Sequence, residues 1–150
     1  MSTDKQVIEF LTSWKNGILD IRKSYVDKDD YEKKALKFIK DHYLFEIEDV
    51  LFKPTMTKTV LFRNDLNSAL SYFIGGSIPE DNGFAIKPWV KIDVNEINNL
   101  FENNFIITMG VFKFTSFDSD KLIKVAFTFV LKPTKGKLKI KVHHSSIIQT

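Results

Sequence analysis

The spacing of apolar residues changes once along this chain, near residue 44, and this change restricts the folds open to it. Before it, apolar residues recur three and four positions apart, as at Leu11, Trp14 and Ile18, which is the period of a helix face. After it, the apolar runs are long and strand-like. Helices grouped before strands predict an α+β fold in which the helices cover one face of an antiparallel sheet.

Local signals mark where the helices begin. Thr3 and Gln6 have the spacing of a capping box and predict the start of a first helix. The run VDKDDYEKK ends that helix, and Asp29 or Asp30 can cap a second one. A third, short helix is predicted to begin at Asp65.

The remainder of the chain has the composition of strands. LFEIEDVLFKPT and TKTVLFRND are predicted to be short extended segments, and Pro88 favours an edge strand or a bulge. Long strands are predicted in NNFIITMGVFKFTSF and KLIKVAFTFVLK around a turn at FDSD. A second turn at PTKG leads into the last strand, KLKIKVHHSSI.

Length and composition exclude several classes of protein. The 150 residues are expected to form a single domain, residues 1–150, with 14 phenylalanines available for its core or for a dry pocket. Cysteine is absent, which excludes disulfides, thiolate metal sites and cysteine nucleophiles. A net charge of +3 without an aromatic RNA-binding signature gives no reason to expect a nucleic acid partner.

The chain also lacks the apolar segments that direct proteins to membranes. No stretch approaches the roughly 20 apolar residues of a membrane span. The N-terminus, MSTDKQVIEF, has an early acid and no apolar run of secretory length. We therefore expect a cytoplasmic protein with no membrane partner.

The last strand provides the most specific prediction about polar groups. Side chains alternate between the faces of a strand, so Leu138, Ile140 and Val142 share one face with His144 and Ser146. We predict that this face points inward and that His144 and Ser146 form a polar patch in a pocket. The alternative is that both are satisfied polar groups of the core or its rim.

The histidines do not predict a metal site. Only His42, His143 and His144 are present, and neighbours on a strand diverge, so His143 and His144 are poorly placed to hold one ion. Convergence of His42, His144 and a carboxylate is conceivable, but no spacing indicates it.

Several short strings in order resemble the iota class of carbonic anhydrases. The resemblance covers about residues 45–148 and rests on the strings LFKPT (51–55), FR (62–63), ALSYFIGG (69–76), EDNGFAI (80–86), PW (88–89) and HHSS (143–146). It implies a nuclear transport factor 2-like cone, in which N-terminal helices pack on a strongly bent antiparallel sheet. The implied activity is the reversible hydration of carbon dioxide to bicarbonate.

The resemblance also implies catalytic residues. Thr55, Tyr72, His144 and Ser146 correspond to the motif positions. We predict that Tyr72 and Ser146 orient the attacking water and that His144 relays its proton. The class includes metal-free members and members that use manganese. We expect no cofactor here, with manganese or zinc as the alternatives.

Three further residues are predicted to contact the substrate, namely Phe52, Arg63 and Trp89. For Arg63 the alternative is a structural ion pair with Asp81 or Glu80, and for Trp89 it is a place in the core. The resemblance implies a homodimer formed through the outer face of the sheet. The alternative to an enzyme is a non-catalytic small-ligand binding or oligomerisation domain with the same fold.

Overall fold

The computed structural model describes residues 3–118 and 122–149, which form helices packed on a five-stranded sheet. The predicted α+β class is confirmed. The elements in chain order are α1 (Asp4–Val26), α2 (Tyr31–His42), β1 (Leu51–Lys53), α3 (Leu66–Ile74), a 3₁₀ helix (Phe84–Ile86), β2 (Trp89–Phe101), β3 (Ile106–Ser116), β4 (Leu122–Thr134) and β5 (Lys137–Ile147). Within the described residues, no helix is both long enough and apolar enough to cross a bilayer.

Each of the three α-helices begins at a side chain that caps it. The capping box at Thr3 is present, and Asp30, rather than Asp29, accepts the Lys33 N–H at 3.0 Å to begin α2. Asp65 accepts the Ser68 N–H at 2.8 Å at the start of α3. The predicted helix starts are therefore confirmed, because these caps satisfy backbone donors that a helix leaves unpaired.

The sheet has the strand order β1-β5-β4-β3-β2. Strands β2 to β5 form the predicted antiparallel meander, with the PTKG turn at its last hairpin, and part of the FDSD turn lies outside the described residues. The expectation of a wholly antiparallel sheet is wrong, because β1 pairs parallel with β5. Residues 51–53 thus pair with the last strand of the chain rather than with a strand that is adjacent in sequence.

The predicted extended segment TKTVLFRND is not a strand but a loop, since its polar groups are engaged elsewhere. The Glu80 carboxylate accepts the backbone N–H groups of residues 58–60, with donor–acceptor distances between 2.6 and 3.3 Å. The Arg63 side chain is fully buried. Backbone donors held by a carboxylate cannot also form a strand ladder.

The three helices cover the inner face of the sheet, where the core is largely aromatic. Phe112, Phe127 and Phe129 of neighbouring strands pack against one another with ring centroids 4.4 to 6.3 Å apart. Trp14 of α1 stacks on Phe112 at 4.9 Å. The phenylalanines are thus used first of all to fill the space between the helices and the sheet.

A bulge in β5 changes which side chains point inward. Leu131 pairs with Ile140 and Val130 pairs with Val142, so Lys141 is an extra residue with no partner of its own. A bulge bends the strand and shifts the alternation by one position. β2 is irregular as well, with register shifts between Trp89 and Lys91 and between Asn95 and Asn98.

The predicted orientation of His144 and Ser146 is therefore wrong. After the bulge, His143 and Ser145 point inward, with exposures of 4% and 3%, whereas His144 and Ser146 are exposed on the opposite face. On that outer face His144 pairs with Thr128, and Thr128 pairs with Met109. Strict alternation from Ile140 places the wrong histidine and the wrong serine inside.

Candidate functional site

Four buried side chains form a continuous chain of hydrogen bonds beneath the helices. Trp14 Nε1 donates to Tyr43 Oη at 3.2 Å, and that oxygen lies 2.9 Å from His143 Nδ1. The other ring nitrogen, His143 Nε2, lies 2.6 Å from Ser145 Oγ. We refer to Trp14, Tyr43, His143 and Ser145 as the histidine chain. It connects α1, the residue that follows α2, and β5.

Burial keeps both titratable members of the histidine chain uncharged near neutral pH. Removal from water lowers the pKa of His143 well below its usual value. It raises the pKa of Tyr43 well above its usual value, against the opposing effect of the Trp14 N–H. The chain therefore consists of a neutral imidazole between two hydroxyl groups.

A second polar group surrounds Tyr72 on α3. The Met56 N–H donates to Tyr72 Oη at 3.2 Å, and the side chain of the adjacent Thr55 lies near this oxygen. Burial raises the pKa of Tyr72 above its usual value, despite these two neighbours. We refer to Thr55, Met56 and Tyr72 as the tyrosine group. The structure thus brings the predicted residues Thr55 and Tyr72 together.

Phe52 of β1 lies between these two groups. Its ring stacks on the His143 imidazole with centroids 4.6 Å apart, and it meets the Tyr72 ring edge-on at 6.2 Å. It therefore forms an apolar wall that both polar groups adjoin. This position is consistent with the predicted role of Phe52 beside a small substrate, a role that stays a prediction.

Arg63 forms a structural ion pair with Asp81, which was the alternative to its predicted contact with substrate. Its guanidinium forms two hydrogen bonds to the Asp81 carboxylate, at 2.6 and 2.7 Å, and two more to the carbonyls of Val60 and Ser68. Ser71 Oγ donates to the same carboxylate at 2.6 Å. Arg63 CZ lies 5.9 Å from the centroid of the Tyr72 ring. Its donors are thus directed at the protein, and the ion pair supports the helix that carries Tyr72.

Trp89 likewise belongs to the core rather than to the site. Its Nε1 donates to the Phe84 carbonyl at 2.7 Å, and its ring packs on Phe84 and Phe114. Phe84 in turn stacks on Tyr72 at 5.5 Å. The structure therefore separates Trp89 from the tyrosine group by a full aromatic ring.

A pocket of about 180 Å³ opens on the tyrosine group. It is lined by Met56, Tyr72 and Phe84, with Lys58 and Lys87 at its polar side. Because a water molecule takes up about 30 Å³ of liquid, this space suits a ligand of a few heavy atoms. The Glu80 carboxylate borders the pocket and fixes the loop that carries Thr55 and Met56.

Comparison with known proteins identifies the family. The sequence profile of the metal-independent carbonic anhydrases matches residues 5–147. The chain belongs to this family. A metal-independent carbonic anhydrase of a Nostoc species is 34% identical over 97% of this chain and 73% of that protein.

Solved structures agree with this assignment. A cyanobacterial iota-carbonic anhydrase in complex with bicarbonate is 31% identical, with a TM-score of 0.92 over 99% of this chain and 94% of that one. A structure assigned as a calcium/calmodulin-dependent protein kinase II association domain, from Xanthomonas campestris, has a TM-score of 0.70 at 18% identity over 99% of this chain and 89% of that one. The second comparison concerns the fold alone. The predicted nuclear transport factor 2-like fold and the carbonic anhydrase activity, reversible carbon dioxide hydration without a metal, are confirmed.

The histidines of this carbonic anhydrase are dispersed. His42 Nε2 lies 2.8 Å from Ser13 Oγ and its Nδ1 lies 2.8 Å from the Phe38 carbonyl, so both ring nitrogens have partners at the interface of α1 and α2. His144 lies on the other side of the sheet. Across residues 3–118 and 122–149, no three histidine, aspartate or glutamate side chains converge as metal ligands would.

Sequence reasoning missed Trp14, Tyr43, His143 and Ser145 as members of a polar site. In the string HHSS, the pairs 143/145 and 144/146 have the same spacing, and only the bulge at Lys141 selects the first pair. The bulge falls in the run KIKV, in which Lys141 lies between two apolar residues. This pattern does not predict a bulge. Trp14 and Tyr43 belong to no sequence motif. Only their contacts in the structure connect them to His143.

Proposed function

We propose that this carbonic anhydrase binds carbon dioxide and bicarbonate between the histidine chain and the tyrosine group, with the ring of Phe52 as the apolar wall. The observation that carries the proposal is that the Phe52 ring contacts both the His143 imidazole, which is hydrogen-bonded to the buried Ser145 hydroxyl, and the ring of the buried Tyr72. Carbon dioxide is apolar and loses little by leaving water, whereas bicarbonate requires donors for its oxygens. A phenyl wall flanked by hydroxyls meets both needs.

The hydroxyls act on the charge that develops during the reaction. When water attacks the carbon and gives up a proton to the solvent, negative charge appears on the oxygens of carbon dioxide. Donors already aimed at those oxygens stabilise that charge without reorganising. The neutral phenol of Tyr72 retains its proton and can donate it, because Met56 N–H already occupies an acceptor site on the same oxygen.

Matched serine variants test this assignment. Loss of one such donor in other enzymes lowers kcat about 10²- to 10³-fold, and we expect Ser145→Ala and Tyr72→Phe to lower the carbon dioxide hydration rate on that scale. Ser146→Ala removes the same hydroxyl from the outer face and should leave the rate unchanged. Stopped-flow assays on chelator-treated protein measure all three.

The opposite ranking would contradict the proposed site. If Ser146→Ala lowers the hydration rate more than Ser145→Ala does, the inward-pointing side chains of β5 do not define the site. If the wild-type protein shows no hydration above buffer, the non-catalytic ligand-binding alternative replaces the enzyme.

We also propose that two copies of the chain associate through the outer face of the sheet. Its apolar residues form a continuous patch on β3, β4 and β5, consisting of Ile107, Met109, Val111, Ala126, Val130 and Val142. Met109 is 53% exposed there. An exposed apolar sheet face of this kind is typical of a protein interface.

Light scattering after size exclusion tests the dimer. Met109→Lys should convert a dimer to a monomer, whereas Ile8→Lys, at a similarly exposed site on α1, should not. A monomeric wild-type protein would contradict the proposal. A cytoplasmic location stays a prediction, which fractionation of the source cells would test.

A further inference from the structure

We infer that Trp14 and Tyr43 fix the tautomer of His143, so that Ser145 directs its hydroxyl proton away from the imidazole and toward the substrate. Trp14 and Tyr43 are thus positioning residues for Ser145. The effect on rate rests on the proposed function, whereas the tautomer itself does not.

The direction of the hydrogen bonds begins at Trp14. An indole N–H is a donor only, so at 3.2 Å the oxygen of Tyr43 must act as the acceptor. The phenol is buried and retains its proton. That proton needs an acceptor of its own, because an unsatisfied buried O–H is costly.

The acceptor is His143 Nδ1, which lies 2.9 Å from Tyr43 Oη. A nitrogen that accepts carries no proton, so the neutral ring carries its single proton on Nε2. Nε2 then donates to Ser145 Oγ at 2.6 Å. With one lone pair of Oγ engaged by this N–H, the Ser145 proton points away from the ring.

The opposite tautomer is disfavoured by the same contacts. A proton on Nδ1 would point at the Tyr43 oxygen, which already accepts from Trp14, and would leave the phenol proton with nothing to donate to. Among the hydrogen bonds of the described residues, Tyr43 Oη has no third partner. Trp14 therefore selects the tautomer of His143 through two successive hydrogen bonds, its own to Tyr43 and that of Tyr43 to His143.

The arrangement assigns His143 a different role from that predicted for a histidine in this site. Both of its nitrogens are engaged, and the rings of Phe52 and Phe129 pack at 4.6 and 4.4 Å from its own. The groups whose charge acts on His143 are Lys53 and His144, both of which disfavour a positive ring. His143 consequently orients Ser145 and does not take the proton of the attacking water.

Nitrogen-15 spectroscopy of histidine-labelled protein tests the tautomer directly. At neutral pH we expect His143 to show a protonated Nε2 with a one-bond N–H coupling and an unprotonated Nδ1. Tyr43→Phe removes the O–H and should give a mixture of tautomers. It should also lower kcat about tenfold, the factor that corresponds to one hydrogen bond. Tyr25→Phe, on the exposed side of α1, is the matched control and should change neither.

Two results would overturn the inference. One is a wild-type His143 that carries its proton on Nδ1 or is doubly protonated at neutral pH. The other is a Tyr43→Phe protein with an unchanged spectrum. Trp14→Phe provides a second variant should Tyr43→Phe not fold, and it too should mix the tautomers. A wild-type protein with the expected tautomer but no hydration activity contradicts only the proposed function.

Discussion

The inward orientation of His143 predicts how the stability of the protein depends on pH. Burial keeps the pKa of His143 well below its ordinary value of 6.5, whereas in the unfolded chain the ring titrates near that value. Below about pH 6.5 the unfolded chain therefore binds a proton that the fold does not. The stability contributed by the neutral ring is complete above that pH and is lost as the pH falls below it.

The size of the effect follows from the linkage relation. For one histidine that stays neutral in the fold, acidification from about pH 7.5 to about pH 5.5 removes about 1.4 kcal/mol of unfolding free energy. His42 is also buried and its pKa is also lowered, so it adds a further loss of the same sign. Hydrogen bonds from lysines or backbone N–H groups lower the pKa of three carboxylates, Asp41, Glu48 and Glu80, so these groups act only at lower pH.

Urea unfolding followed by tryptophan fluorescence measures this loss, since Trp14 and Trp89 are both buried. His143→Asn should remove about 1.4 kcal/mol of the pH dependence, because an Asn side chain carries no titratable proton. His144→Asn, one residue further along β5 and exposed, should retain it. If His144→Asn flattens the profile and His143→Asn does not, the assignment of faces on β5 is refuted.

Four other variants probe packing and polar contacts in the fold. Gly17→Ala places a Cβ in steric conflict with the Phe38 ring; overpacking of about 1–3 kcal/mol should outweigh a helix-propensity gain of about 1 kcal/mol, and a higher urea midpoint would contradict this. Asp81→Asn leaves the buried charge of Arg63 unpaired and should cost about 3–5 kcal/mol. The double variant Arg63→Met/Asp81→Leu should recover most of that unfolding free energy. If it is as unstable as Asp81→Asn, the reasoning is wrong. Glu80→Gln should speed hydrogen exchange of the loop amides that its carboxylate holds, with β4 amides unchanged as the internal control.

The helical half of the fold could be predicted because its signals are local. The caps at Thr3 and Asp65 act within four residues, and the apolar period of α1 is long and regular. The strands around the PTKG turn were predictable for the same reason. β1 lies within the predicted extended segment LFEIEDVLFKPT, but its partner was not predictable, because the parallel pairing joins Phe52 to His143, far away in sequence, and nothing near residue 52 indicates it.

The candidate site could be predicted only in part. Thr55 and Tyr72 were found through resemblance, and the structure brings them together. His144 and Ser146 were chosen over their neighbours by strict alternation, which one unpaired residue at Lys141 invalidates. Such a bulge depends on how β4 and β5 bend together, and this is a property of the tertiary structure.

Tyr43 and His143 are 100 positions apart in the chain, yet a hydrogen bond joins their side chains in the core. A growing polypeptide holds Trp14 and Tyr43 long before it contains the imidazole whose tautomer they fix. Closing so large a loop costs entropy before any contact compensates for it, and folds dominated by distant pairings form slowly. Catalytic competence in this protein should therefore arise in the final step of folding, when the β4–β5 hairpin docks and brings His143 beneath the helices.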